Sequence, residues 1–435
     1  MLPRIEKVSD FKSELLQNTR SLYVYLPPSY YSHSTQRYPV LYMQDGQHVF
    51  EEDAFGGSWE AHLTADRLIG KGWMREIIIV GVASLPAGRA SEYFHGTPDV
   101  RMLYDAIPAG ELYERFLVEE VKPFIDRRYR TWPDRDNTAI LGSSAGGLVS
   151  YHIAFRRSDV FAYTGIMSPF FQYTRMRDGE LIETPIYRKF TCRPQVKVWM
   201  DMGGSEGLFR LEHARRAADD LVESGFVPGE NLMFLYEPDA EHNQRDWARR
   251  LQSPLLYFFG KIGRPVRMEM HSSRKVGIRG PVSRVYPNVE YDSGYRVSLL
   301  RARYRSSNPN IVAVESDGTL CPKLPGIAFI EAEFEGLTQQ CKIEVVPELS
   351  PTVEVQISVR VPEDTKEDDP VHVGLNIPKA GRCHYAGTFR LPRDLTFALK
   401  ISRGFGLNER RDELRRFTTS ENLALHYEVE AWEQL

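Results

Sequence analysis

A change of rhythm near residue 262 constrains this chain more than any other feature. Before it, short apolar runs alternate with amphipathic stretches; after it, only short alternating segments follow. Ser21–Leu26, Val40–Met43, Glu76–Ala83, Thr138–Leu141, Tyr163–Met167, Val196–Met202 and Leu232–Tyr236 read as strands. Leu112–Arg128, Ala145–Arg157, Leu211–Ser224 and Gln244–Phe259 carry apolar residues three and four apart and read as helices. Strands alternating with helices predict an α/β domain over residues 1–262, its mostly parallel sheet covered on both faces. Beyond Gly263-Arg264-Pro265, Ile311–Val314, Ile327–Phe334, Cys341–Val346, Val353–Val361 and Thr396–Ile401 are separated by Asn-Pro, Asp-Gly, Pro-Gly and Glu-Gly turns. That texture predicts two all-β sandwiches, over 266–347 and 352–435, linked by Pro347-Glu348-Leu349-Ser350-Pro351.

A length of 435 residues accommodates three such units, and 42% hydrophobic residues let each bury a core. Lys plus Arg number 55 against 59 Asp plus Glu, a net charge of −4. So balanced a chain has no global attraction for nucleic acid or an anionic membrane. No run approaches the roughly 18 apolar residues of a membrane span, and the charged first ten residues lack the apolar core of an export signal. The expected compartment is the cytoplasm, with secretion the alternative if such a signal was removed. Cys192, Cys321, Cys341 and Cys383 are too few and too scattered for a disulfide framework or a zinc knuckle. They are expected as reduced thiols, with Cys321–Cys341 the one pair on neighbouring predicted strands. No cofactor or metal is implied.

Two segments fit Gly-x-Ser-x-Gly: Gly142-Ser143-Ser144-Ala145-Gly146 and Gly203-Gly204-Ser205-Glu206-Gly207. Both lie between a predicted strand and a predicted helix, so local context does not separate them. Chain order does. An α/β-hydrolase delivers nucleophile, acid and histidine in that sequence, each from its own strand end. With Ser144 as nucleophile, the next strand offers Asp201 and Glu206, and the one after is followed by His242. With Ser205, acid and histidine would have to share one loop. The turn also places Ser144 at a helix N-terminus, where N–H groups point at a developing oxyanion.

The same region resembles the putative-esterase family of α/β-hydrolases, which includes enterochelin esterases, S-formylglutathione hydrolases, feruloyl esterases and mycolyltransferases. The matching blocks run in the family's order over residues 20–260. They include Tyr38-Pro39-Val40-Leu41-Tyr42-Met43-Gln44-Asp45-Gly46-Gln47, Phe116-Leu117-Val118-Glu119-Glu120-Val121-Lys122-Pro123, the Ser144 turn, Met167-Ser168-Pro169-Phe170 and His242-Asn243 with Trp247. The resemblance implies Ser144 as nucleophile, His242 as base and Glu206 as acid, favoured over Asp201. It implies an oxyanion hole from the N–H groups of Ala145 and Gln47, with Asp45 bracing the loop and His48 a wall residue. Arg89, Glu92 and Tyr93 match a stretch near the active site of relatives, where an arginine holds a substrate anion or makes a structural ion pair. Trp59, Trp199 and Phe170 are the aromatic candidates for the pocket wall.

Ser306–Val314 with Asp317-Gly318 resembles bacterial Ig-like domains, and residues 353–433 more faintly resemble a starch-binding-type sandwich. Sugar-binding surfaces need exposed aromatic rings, yet Trp432 is the one tryptophan after residue 247, so carbohydrate binding is the minor expectation and a structural or dimerising module the major one. The function expected is a serine carboxylic-ester hydrolase acting on a small or glycan-linked ester, with siderophore, feruloyl and sugar esters all open. Acyl transfer of the mycolyltransferase kind and a non-catalytic binding scaffold are the alternatives. A chain ending near Gly263 is expected to keep its activity on small esters within about tenfold.

Overall fold

The computed structural model describes residues 4–51, 57–96, 107–191, 193–404 and 407–433. Ile5–Ser13 (β1), Asn18–Tyr25 (β2), Val40–Gln44 (β3), Ile78–Val82 (β4), Thr138–Ser143 (β5) and Tyr163–Met167 (β6) come first. A hairpin follows, Gln172–Arg177 (β7) and Glu180–Pro185 (β8), then Lys197–Gly203 (β9) and Leu232–Glu237 (β10). In the sheet the order is β1-β2-β4-β3-β5-β6-β9-β10, and every neighbouring pair from β4 to β10 is parallel. All residues of β3, β4 and β5 are buried. Helices cover both faces of these strands, which is why they read as continuous apolar runs rather than alternating ones. Helices Ala145–Arg156 and Leu211–Glu223, with the helical run over 110–128, pack on one face; Ala61–Gly70, Gln244–Arg250 and Gln252–Phe259 pack on the other. The sequence pattern missed β1, the β7–β8 hairpin and the helix Ala61–Gly70.

The division at residue 262 needs correction. Pro265–Ser272 (β11), Val285–Tyr291 (β13) and Arg296–Ser298 (β14) extend the α/β sheet, in the order β10-β14-β13-β11 and all antiparallel. Lys275–Arg279 (β12) instead opens a separate sheet with Leu337–Glu348, Gly326–Phe334 and Arg303–Ser306. The expected Ig-like unit is therefore not an independent module: three of its first four strands complete another domain. The reason is the edge of β10. Met268, Val289, Tyr291, Tyr295 and Val297 join Trp199, Leu235 and Trp247 in one buried cluster, apolar surface that an open edge would expose to water.

The C-terminal sandwich has its own core around Val355, Ile357, Phe389, Leu391 and Phe397. Its sheet of Thr352–Arg360, His384–Pro392 and Leu423–Glu428 also accepts the β7–β8 hairpin, through the pairing of Arg390 with Glu180. Trp432 is buried, its indole N–H donating to Thr365 Oγ1 at 2.9 Å, so it presents no open ring to a sugar. Cys321, Cys341 and Cys383 are free thiols, which excludes the Cys321–Cys341 pairing; Cys192 lies outside the described residues. Among the described residues no helix is long and apolar enough to cross a membrane.

Candidate active site

Parallel strands deliver their loops to one edge of the sheet, and that edge collects the chemistry. Ser144 follows β5 and caps the helix Ala145–Arg156 with φ 55° and ψ −126°. A non-glycine residue held there is strained, a condition that persists where the surrounding structure over-determines it. Four bonds do so: Ser144 N–H donates to Met167 O at 3.0 Å, and Ser144 O accepts from the N–H groups of Gly147 at 3.0 Å and of Leu148 and Phe170, both at 3.1 Å. The turn is so tight that a Cβ on Gly142 would stand 2.4 Å from the Gly146 carbonyl oxygen. As the first helical residue, Ala145 has an N–H with no intrahelical acceptor.

Glu206 lies beyond β9 and His242 beyond β10, and the two meet: His242 Nδ1 is 2.7 Å from Glu206 Oε2. The other carboxylate oxygen, Oε1, accepts from Ser168 Oγ at 2.6 Å and from Gly203 N–H at 2.7 Å. Burial opposes the charge of Glu206, but His242, Arg250 and Ser168 outweigh it and hold the carboxyl below its usual range. The half-buried imidazole is stacked on Phe209 at 4.0 Å and meets Trp247 edge-on at 5.0 Å. With Nδ1 engaged by the carboxylate, Nε2 is the nitrogen left for a reacting hydroxyl. Among the described residues no hydrogen bond joins Ser144 to His242.

Asp201, the other acid weighed from the sequence, does something else. It is fully buried, paired with Arg250 Nη1 at 2.6 Å and accepting from the Trp199 indole at 2.9 Å. Burial, only partly offset by Arg250, raises its carboxyl to about 6. Ser205, the second candidate nucleophile, is also buried; its N–H donates to Ala240 O at 3.0 Å. The second Gly-x-Ser-x-Gly segment is the turn that carries Glu206.

The loop after β3 forms a short 3₁₀ turn, Gly46–His48, closed by His48 N–H to Asp45 O at 3.0 Å and Val49 N–H to Gly46 O at 3.3 Å. The Gln47 N–H is not used in these bonds. The Gln47 side chain is pinned to Ser84, donating to its Oγ at 2.9 Å and accepting from its N–H at 3.1 Å. Arg89 grips Asp45 with two bonds of 2.8 Å and lies over the Tyr93 ring, while the Tyr93 hydroxyl accepts from Asp45 N–H. Of the two expectations for Arg89, this is the structural ion pair.

Two of the three expected pocket aromatics, and Tyr93 beside Arg89, are core residues. Tyr93 and Trp199 are 0% exposed and Trp59 only 2%, so none of them presents an open ring face. Trp59 stacks on Trp247, the edge-on partner of His242. Phe170 is partly exposed and packs on Phe209, the ring beneath His242. The sequence reading missed Phe209, Arg250 and the bonding of Ser168. Ser168 Oγ accepts from Trp247 and Arg250 at 3.0 and 2.9 Å while donating to Glu206. Its place in the Met167-Ser168-Pro169-Phe170 block was the only signal in the sequence.

A cleft of about 1390 Å³ adjoins this constellation, above the roughly 300–1,000 Å³ of ordinary ligand pockets. One side carries Glu206, Phe209, Glu241 and His242; the other carries Phe397, Lys400, Arg403 and Trp432 of the C-terminal sandwich.

The family model described as Putative esterase matches residues 13–258. An endo-1,4-beta-xylanase/feruloyl esterase of Xylanibacter ruminicola is 31% identical over 161 residues, 36% of this chain but only 20% of that protein's length. The uncharacterized protein YbbA of Bacillus subtilis is 24% identical over 269 residues, covering 57% of this chain and 96% of that protein. Among solved structures, a ferulic acid esterase is similar at 24% identity over 59% of this chain and 98% of the other, with a TM-score of 0.43. The enterobactin esterase of Shigella flexneri, solved in the presence of enterobactin, is 14% identical over 59% and 58% of the two chains, with a TM-score of 0.46.

Proposed function

This chain belongs to the putative esterase family, and from that membership we propose that it hydrolyses carboxylic esters through an acyl-enzyme on Ser144. The observation that carries the proposal is the convergence of a strained serine at a helix N-terminus with the 2.7 Å His242–Glu206 pair on successive strand ends.

The steps follow from the groups. Ser144 Oγ attacks the ester carbonyl while His242 Nε2 takes its proton, because a serine hydroxyl is too weak an acid to react unaided at neutral pH. Glu206 stabilises the imidazolium and fixes the ring through Nδ1. The carbonyl oxygen becomes negative between the Gln47 and Ala145 N–H groups. As the tetrahedral species collapses, the C–O bond to the alcohol breaks and His242 returns the proton to the leaving oxygen. Water then repeats the sequence on the acyl-enzyme, releasing the acid and freeing Ser144.

Feruloyl, catecholate-siderophore and acylated-sugar esters form the panel that chooses among substrates. Labelling with a fluorophosphonate tests the chemistry. We expect labelling of the wild type and none of Ser144→Ala, with turnover of a small chromogenic ester falling on the order of a millionfold. Ser205→Ala should have a far smaller effect. A folded wild-type protein that neither labels nor hydrolyses any ester of the panel would point to the scaffold reading. Added alcohol acceptors, with the products identified, separate hydrolysis from acyl transfer.

A further inference from the structure

We propose that Phe397, in the C-terminal sandwich, is a positioning residue for the Glu206–His242 pair. The inference rests on the roles given to those two residues above. The turn that carries Glu206 is paired with the sandwich as if it were one more strand. Gly207 N–H donates to Thr396 O at 3.0 Å, and Glu206 forms an antiparallel bridge with Phe397. Gly207 has φ +62°, and the Phe397 ring presses on it so closely that a Cβ there would be 2.8 Å from Phe397 Cδ1. Phe397 is itself 1% exposed and stacks on Phe417 with centroids 4.5 Å apart and planes 7° apart. Leu208, the next residue of the turn, packs into the same sandwich core. The loop that carries His242 is tied to the same module, since Arg416 pairs with Glu241.

Glu206 is thus fixed from two directions. Its own domain holds the carboxylate through Ser168 and Gly203, and the sandwich holds the backbone. Misplacement of a reacting group by about 1 Å costs on the order of a hundredfold in rate, so a clamp on this turn acts on turnover rather than on substrate affinity. The charges around the pair are Arg250 beneath it with Asp201 behind, Glu241 from the His242 loop and Asp246 from the helix that follows. Across the cleft stand Asp364, Lys400, Arg403, Arg410 and Glu433. Substitution of Phe397 by an apolar residue changes none of them, so a shift in pH dependence reports on the geometry of the pair.

The experiment compares the full-length wild type with Phe397→Ala and Phe397→Leu on a small chromogenic ester across pH 5–9, with circular dichroism and urea melts establishing the folded fraction. For Phe397→Ala we expect kcat to fall at least about tenfold with KM within about twofold. We also expect the acidic limb of the kcat profile to move to lower pH, because an imidazolium less firmly held by a carboxylate releases its proton more easily. Phe397→Leu should restore most of kcat. A merely structural role would lower the amount of active enzyme and leave the profile in place, which would overturn the proposal. If Phe397→Ala does not fold, Leu208→Ala, milder and uncharged, takes its place: the same limb shift supports the clamp and an unmoved profile overturns it. Wild-type activity with unchanged variants sinks the clamp alone; a wild type inactive on every ester sinks the catalytic reading with it.

Discussion

Asp201 and Glu206 stand five positions apart at the end of one strand, and what divides their work is the group each one faces. Glu206 reaches His242; Asp201 is closed off by Arg250 and the Trp199 indole. Glu206→Gln keeps the shape but removes the charge opposite the imidazolium, so turnover should fall on the order of 10⁴-fold with little change in stability. Asp201→Asn should do the reverse. It takes from the buried Arg250 guanidinium its nearer carboxylate and leaves only Glu206 Oε1 at 3.5 Å, a loss on the order of 3 kcal/mol in stability, with a smaller effect on the turnover of the molecules that remain folded. Urea melts beside steady-state kinetics on both variants separate the cases, and an Asp201→Asn enzyme that is stable but slower than Glu206→Gln reverses the assignment. Chain order left these two residues as candidates for the partner of His242. Only side-chain packing brings Glu206 to it, because both lie within reach of the same strand end and a sequence carries no information about which way each points.

The β7–β8 hairpin shows the same division for a whole element. It alternates weakly and carries many charges, so it gives no strand signal of its own, and it owes its place to partners far along the chain. Glu183, on β8, accepts from Arg210 at 2.9 Å and lies 2.8 Å from His213 Nε2, both contributed by the segment leading into and opening the helix Leu211–Glu223. Burial works against its charge, yet His213 and Arg210 bring the carboxyl down to about 2. A carboxyl lowered on folding contributes stability that is complete above its unfolded value near 4.5 and is lost as the pH falls from there toward 2. Allowing for its partial exposure, the contribution is on the order of 2 kcal/mol. Urea melts of the wild type and Glu183→Gln between pH 2 and 7 should differ by that amount above pH 5 and converge near pH 2. A difference independent of pH would show that the ion pair is not its source.

At the scale of the molecule, the expectation that a chain ending near Gly263 stays active within about tenfold does not survive the topology. That cut removes β11, β13 and β14 and uncovers the apolar edge of β10 with Trp199, Leu235 and Trp247 behind it. We predict an aggregating product, seen as loss of the monomer peak in size-exclusion chromatography. A chain ending near Ser350 keeps the full sheet and should remain soluble, yet lose at least about tenfold in kcat on a small ester because the turn that carries Glu206 has lost its strand partner. Equal kcat in that chain and the full-length protein would show the sandwich to be a passenger. By itself the sequence determined the α/β class and offered the Ser144 turn, His242 and two carboxylates as candidates, because hydrophobic period and glycine turn chemistry are local properties and chain order is read directly from the sequence. The tertiary structure alone decided that Glu206 meets His242, that Arg89 serves Asp45, that Trp199 and Tyr93 are core, and that residues 265–298 finish the first domain. Each of those depends on which surfaces are buried against one another across many tens of residues, and an apolar strand reads the same whether it closes its own sandwich or the edge of its neighbour.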